Sequence, residues 1–364
     1  MTQQAADSAT RRLPTTAALL ERWITEGGCL GGQVWAWQAG QVVTDFAAGR
    51  SAPDRPASVT DVNRLYCAVK PLAACILARA ADDGQLSLDD LACRYLPAFS
   101  KDGRDAITLR QLLSHGSRLP DLGLNPYTHS FGDILRVACD IRIDPRTWDD
   151  PLRYSDLAAW VILASVAENV YATDFPRIVA DMLARHVPGS GLRIIDPEPA
   201  QYAPCHIRRH GRFSPVPQPS EDVLFSTANP AHGGFGSARD LGLLYAELLR
   251  SGAGTGTLLS PRTAAELTRH HTTVEFGIGF ARRNCGLGFM TNIGSDGIAG
   301  DWSERSFGHA GYVGRYRVVH AFADIRHQIA VAIQLFSVGA KNNWRFQQLG
   351  AALWTDLGSV AWIN

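Results

Sequence analysis

Cys67-Ala68-Val69-Lys70 sets a thiol and an amine three residues apart at the head of an apolar, helix-like run. Side chains at that spacing share one helix face and can approach each other. A helix N-terminus and a neighbouring ammonium both favour thiolate over thiol, drawing a cysteine pKa below its usual value of about 8.5 and making the sulfur a nucleophile. The same four residues also read as a core cysteine beside a solvated lysine, so the pattern alone carries two readings. The other cysteines, at 29, 75, 93, 139, 205 and 285, form no Cys-x-x-Cys pair, and the total of seven is odd. A disulfide framework or a zinc site shows tighter, even spacing, so these six read as small buried hydrophobes. The eleven histidines include no His-Glu-x-x-His spacing, and no metal or other cofactor is expected. Basic residues crowd one further segment, His206, Arg208, Arg209, His210 and Arg212, which reads either as a solvated loop or as a contact for a phosphate-bearing ligand.

The chain that positions these groups has 364 residues, 46% hydrophobic and 19% charged, with 35 basic and 35 acidic side chains and a formal net charge of zero. A protein that held nucleic acid by neutralising phosphates would carry a basic excess, and a disordered regulator would be poorer in apolar residues. Residues 1–16 show no apolar run behind their charges, and no segment offers about 18 consecutive apolar residues. The expectations are a reducing, cytoplasmic setting with no nucleic-acid and no membrane partner. Apolar spacing predicts helices over Thr15–Thr25, from about Cys67 to the stop signal Asp82-Asp83-Gly84, over 107–115 with Thr108 as N-cap, from Asp156 to Val170, and over Ala238–Arg250 and Trp344–Leu357. Val34–Trp37 and Val42–Phe46 around Gln38-Ala39-Gly40-Gln41 predict a hairpin, and Tyr316–Ala323 and Ile329–Phe336 predict adjacent strands. Residues 186–236, rich in Pro, Gly, Arg and His, read as long loops with short strands. Strands at both ends with helices between imply one sheet built from both termini, plus a helical insertion.

Three stretches resemble the serine β-lactamase and penicillin-binding-protein superfamily, and within it the class C-like esterases, D-aminopeptidases and transacylases. In the first, Cys67 and Lys70-Pro71 are followed by Gly84, Leu88-Asp89-Asp90 and Leu112-Leu113-Ser114-His115, in the order of the family's Ser-x-x-Lys region. In the second, Tyr154-Ser155-Asp156 stands for a Tyr-x-Asn or Tyr-x-Ser motif opening a helix; in the third, His309-Ala310-Gly311 resembles a strand-borne His-x-Gly. Gly233 to Asp240 is similar to the family's turn into a helix, with Ser237 as cap. The resemblance implies an α/β (α+β) β-lactamase-like fold, an antiparallel sheet flanked by helices plus a mostly helical subdomain. It implies a single catalytic unit over 1–364, with the α/β part at about 1–66 and 236–364 and the helical and loop part at about 67–235.

The resemblance also implies roles. Cys67 replaces the family serine as nucleophile, and Lys70 stabilises its thiolate. Tyr154 exchanges protons with nucleophile and leaving group, while His309 assists proton transfer or orients a carbonyl. The backbone N–H groups of Cys67 and Tyr312 form an oxyanion hole, a device worth roughly 10²–10³ in rate. Asp156, where the family carries Asn or Ser, would hold Lys70 protonated, and Gly311 would let the strand approach a substrate closely. His115 and Asp89 fall outside the reaction centre, and Gly116-Ser117-Arg118 departs from the family's Thr-Ser-Gly. Cysteine in place of serine makes the acyl-enzyme a thioester, which favours amine and thiol acceptors over water. The resulting expectation is an acyltransferase that moves an acyl group from a thioester, ester or amide donor to an amine or hydroxyl acceptor, in specialised biosynthesis. Coenzyme A and carrier-protein thioesters are donors of that kind. A hydrolase of the same fold and a non-catalytic binding relative stay open, as does a cysteine introduced in place of serine. Substrate choice is expected in the 120–150 and 186–235 loops.

Overall fold

The computed structural model describes residues 13–120, 122–125, 128–143, 150–195, 202–217, 229–276 and 281–358. Its first helix, α1 (Pro14–Thr25), leads into β1 (Gly31–Gln38) and β2 (Gln41–Ala52). Ala39 and Gly40 both take positive φ, 45° and 93°, as a tight hairpin turn requires. After β3 (Arg55–Pro56) and β4 (Asn63–Arg64), a 3₁₀ turn over Tyr66–Val69 opens α2 (Lys70–Asp82). The helices α3 (Leu109–Leu113), α4 (Phe131–Asp140), α5 (Ala158–Tyr171) and α6 (Phe175–His186) follow. Short strands β5 (His206–Arg209), β6 (Arg212–Pro215) and β7 (Phe235–Gly236) precede α7 (Ala238–Gly252) and α8 (Pro261–Thr268). The chain ends with β8 (Thr272–Phe276), β9 (Ala281–Cys285), β10 (Met290–Thr291), β11 (Ser306–Val313), β12 (Tyr316–Asp324), β13 (Ile329–Leu335), β14 (Ser337–Val338) and α9 (Asn342–Leu357).

Nine strands form one antiparallel sheet in the order β3-β2-β1-β13-β12-β11-β10-β9-β8. Its centre joins the two ends of the chain: Val34 lies opposite Ile333 and Ala36 opposite Val331. Alternation along these strands sorts side chains between two cores. Val34, Ala36, Val331 and Ile333 face Leu20, Trp23, Phe346 and Leu349 of α1 and α9. Trp35, Ala321, Ala330 and Ala332 face the other way, with Leu241 and Leu244 of α7 and the buried faces of α2 and α5. Gly242 lets α7 lie against Trp35, since a Cβ there would sit 2.0 Å from the indole. α5 is buried over its first ten residues, so its apolar surface on all sides has partners.

Two expectations need correction. The helix expected to begin at Cys67 begins at Lys70, and the one expected from Asp156 begins at Ala158, so Cys67 and Asp156 both lie on turns ahead of helices. The 186–236 stretch carries β5, β6 and β7 as short strands, while 196–201 and 218–228 lie outside the described residues. Among the described residues no helix is long and apolar enough to cross a membrane.

Candidate active site

Tyr66 enters the 3₁₀ turn with φ of 50°, a left-handed conformation that an aromatic residue rarely adopts. Its buried ring is fixed among Cys205, Val318 and Val338. Two glycines clamp the turn from either side: a Cβ on Gly311 would lie 2.3 Å from the Leu65 carbonyl oxygen, and one on Gly234 would lie 2.1 Å from Val69 Cγ1. The space at Gly311 is thus filled by the chain's own backbone, not left for a substrate as expected. Gly311 instead brings β11, with the Tyr312 amide, against the segment that carries the Cys67 amide. Asn63 and Arg64 of β4 pair with β7 and tie the same turn to the 229–236 loop.

Lys70 is fully buried, which removes the solvated reading of this side chain. Its Nζ donates to the Ala231 carbonyl at 3.1 Å and to Asp156 Oδ1 at 3.3 Å, and it lies 5.4 Å from the Tyr154 ring centre. The same Asp156 oxygen is 3.6 Å from Cys67 Sγ. A residue that sequence reasoning missed completes the group. His232 places Nε2 3.0 Å from Asp156 Oδ1 and Nδ1 3.8 Å from Cys67 Sγ. Thiol, imidazole and ammonium therefore cluster around one carboxylate oxygen, which lies slightly closer to Sγ than the imidazole does. Buried Asn229 holds the loop, its Oδ1 accepting from the Ala231 and His232 amides at 2.9 and 3.2 Å. The only sequence signal for His232 was its place directly before the recognised Gly233-Gly234 pair.

Burial pushes the Cys67 thiol up, but Lys70 and then His232 outweigh it, and the net shift is downward. Burial alone drives Cys75 up to about 12, and burial first among the causes does the same for Cys285. Cys29, Cys139 and Cys205 also move upward, so Cys67 is set apart chemically as well as by position. For His232, burial favours the neutral ring, yet Asp156 and Cys67 prevail and raise it to about 9. Partial burial opposes the ionised Asp156, whose side chain stays half-exposed, but His232 and Lys70 hold its carboxyl well below the usual carboxylate range. The resting arrangement at neutral pH is thus an imidazolium and an ammonium around a carboxylate and an easily ionised thiol.

Tyr154, His309 and His115 form a second layer. The His309 Nδ1–H donates to the Ala310 carbonyl at 3.0 Å, leaving Nε2 to accept from the Tyr154 hydroxyl at 3.3 Å. Burial, followed by the Lys70 charge, lowers His309 to about 3, which keeps it a neutral acceptor. Burial, followed by the charges of Cys67 and Asp156, pushes the Tyr154 phenol well above its ordinary value. His115 stacks on Tyr154 with ring centres 4.2 Å apart, and its Nδ1 accepts from the Ser155 amide at 3.0 Å. It therefore positions the Tyr154–Asp156 segment from behind. Asp89 is remote from this group and pairs with Arg110. Arg118, at the departure from Thr-Ser-Gly, takes φ of 57°, a conformation glycine adopts more cheaply.

The family model for beta-lactamase matches residues 11–352. The chain belongs to the beta-lactamase family. A curated relative, "Esterase/beta-lactamase LipL" of Mycobacterium tuberculosis, is 24% identical over 361 residues, covering 80% of this chain and 82% of that protein. Among solved structures, "EstCE1, a hydrolase with promiscuous acyltransferase activity" aligns with a TM-score of 0.76 at 19% identity, covering 97% of this chain and 100% of the other. A penicillin-binding protein homologue from Caulobacter crescentus gives 0.77 at 21% identity, with 95% and 98% covered. A class C beta-lactamase from Rhodobacter sphaeroides gives 0.70 at 17%, with 92% and 97% covered. These likenesses establish the beta-lactamase fold over nearly the whole chain. In this member the sulfur of Cys67, Asp156 and His232 also offer three metal-type donor atoms within 4.8 Å of one another. Lys70 already supplies a cation to the shared carboxylate oxygen.

Proposed function

We propose that the chain is an acyltransferase that works through an acyl thioester on Cys67. The observation that carries this reading is the lowered thiol of Cys67 set between Lys70 and a His232–Asp156 pair. The Cys67 thiolate attacks the acyl carbonyl of the donor, and the N–H groups of Cys67 and Tyr312 receive the oxyanion. As the tetrahedral adduct collapses, the bond to the leaving group breaks, and the His232 imidazolium gives its proton to that group, becoming neutral. Neutral His232 then takes a proton from the incoming amine or hydroxyl as it attacks the thioester. The second adduct expels thiolate and restores the thiolate–imidazolium pair. Tyr154 is kept protonated, its one hydroxyl proton donated to His309 Nε2. Lys70 acts as a fixed positive charge for the thiolate.

Two points support transfer over hydrolysis. A thioester reacts well with amines and thiols relative to water, and a fold neighbour is described as a hydrolase with promiscuous acyltransferase activity. Esterase-type hydrolysis is the second reading, favoured by the esterase/beta-lactamase relative. Intact-protein mass spectrometry after incubation with acyl thioesters tests the proposal. One acyl group should appear on Cys67 and leave on addition of an amine acceptor. Absence of acylation, together with ester hydrolysis by Cys67→Ser, overturns it; acyl loss at the same rate with and without acceptor selects hydrolysis.

A further inference from the structure

A cavity of about 1010 Å³ opens where the C-terminal end of α1, strands β5 and β6, the β11–β12 turn and the N-terminal end of α9 meet. Six cationic side chains line it, Arg22, Arg208, Arg209, Arg315, Lys341 and Arg345, against one carboxylate, Glu26. Among the described residues none of the six forms an ion pair with a carboxylate. Arg345 is the most telling. It is 7% exposed, its Nη1 donates to Asn342 Oδ1 at 3.0 Å, and its Nε has no hydrogen-bond partner. A buried guanidinium without an anion is costly, and burial shifts this one toward its neutral form.

The arginines converge. A Cβ on Gly27 would lie 3.5 Å from Arg208 Nη2, and one on the next residue, Gly28, would lie 2.8 Å from Arg345 Nη2. Two guanidinium groups thus face consecutive glycines, a geometry that can grip one polyanion from two sides. Lys341, Trp344 and Arg345 sit at the start of the 16-residue α9, whose N-terminal dipole adds positive potential. Trp344 is 45% exposed beside Trp23, which leaves an indole face free for a flat ring. The cavity wall shares a strand with the site: Val313, which lines the cavity, follows Tyr312 in β11.

We propose that this cavity binds the phosphorylated nucleotide end of the acyl donor, a thioester of the coenzyme A class. The proposal rests on the reading that Cys67 accepts an acyl group from a thioester. Phosphates satisfy the arginines, the base stacks on Trp344, and the thioester arm runs past Val313 to the Tyr312 and Cys67 amides.

The test separates binding from chemistry. Isothermal titration of coenzyme A into a Cys67→Ala protein reads the cavity without acylation. Saturable binding is expected, weakened at least tenfold by Arg208→Glu or Lys341→Glu, both exposed positions, and weakened by added salt. Pantetheine, which lacks the phosphates, should not bind. Absence of saturable binding, or binding indifferent to both substitutions, overturns the proposal. So does a coenzyme A thioester that acylates wild-type Cys67 with no lower KM than its N-acetylcysteamine analogue, while the acyl-enzyme reading survives. Coenzyme A binding with no acylation of Cys67 leaves the cavity standing and removes the acyl-enzyme. A carrier-protein thioester that alone responds to the two substitutions would make the surface a protein-docking site and overturn the small-molecule assignment.

Discussion

Replacing His232 by asparagine should turn Cys67 back toward an ordinary thiol. The imidazolium lies 3.8 Å from Sγ. Two unit charges at that separation interact by about 4 kcal/mol at an effective dielectric of ~20. Solvent screening reduces this. Asp156, whose side chain is 46% exposed and opens the site to screening, repels the thiolate from 3.6 Å. Lys70, in contrast, remains in the variant and continues to favour thiolate. A net upward move of the Cys67 thiol, driven by loss of part of that interaction, is the expectation. The assay is the second-order rate of Cys67 alkylation by iodoacetamide across pH, read by peptide mass spectrometry. Wild type should approach its plateau below the usual thiol range, whereas His232→Asn should be slower at pH 7 by a factor of about 10–100 and recover at high pH. Cys75 and Cys285, each at about 12, serve as unreactive internal controls. An unchanged midpoint with a merely lower plateau would refute the electrostatic reasoning and reduce His232 to packing.

Other outcomes follow from the same geometry. His232, raised to about 9 from an unfolded value near 6.5, contributes stability that is complete below pH ~6.5 and is lost as pH rises through 9, so urea titrations at pH 6 and 9.5 should differ more in wild type than in His232→Asn. Gly311→Ala drives a methyl group into the Leu65 carbonyl at 2.3 Å; a loss of about 1–3 kcal/mol in denaturant titration and a fall in kcat larger than any rise in KM are expected. His115→Ala removes the acceptor of the buried Ser155 amide and the stacking partner of Tyr154, with an expected cost of about 1–3 kcal/mol by the same titration. A KM-against-kcat comparison on that variant should show kcat falling first.

The readable parts of the molecule were those with local periodicity. Alternation in β1, β12 and β13 and the apolar surface of α5 announced the sheet and its buried helix. Cys67 and Lys70 could be singled out by their spacing at the start of α2, whereas Tyr154 and His309 were legible only through the motifs of the resemblance. His232 could not, since it is held on an irregular loop by Asn229 and meets Cys67 across 165 residues. Helix starts misled by a few residues: the Cys67 turn is as apolar as α2, and Asp156 has the residue type of an N-cap but lies two positions ahead of Ala158. α6 was overlooked although Asp174 and Pro176 mark its start, the aspartate side chain accepting from the Arg177 amide. The Arg208–Arg209 segment read equally as solvent-facing or ligand-facing, because only the fold brings it against Arg345 and Lys341.

The clamping of the Cys67 turn between Gly234 and Gly311 bears on how the protein is made. Until β11 has left the ribosome, Leu65 has no strand beneath it. Until β13 follows, β1 has no central neighbour. The nascent chain therefore carries Cys67 as one ordinary sulfhydryl among seven. Its acidity arrives only once Lys70 and the distant His232 are packed around it, and contacts this distant in sequence form slowly.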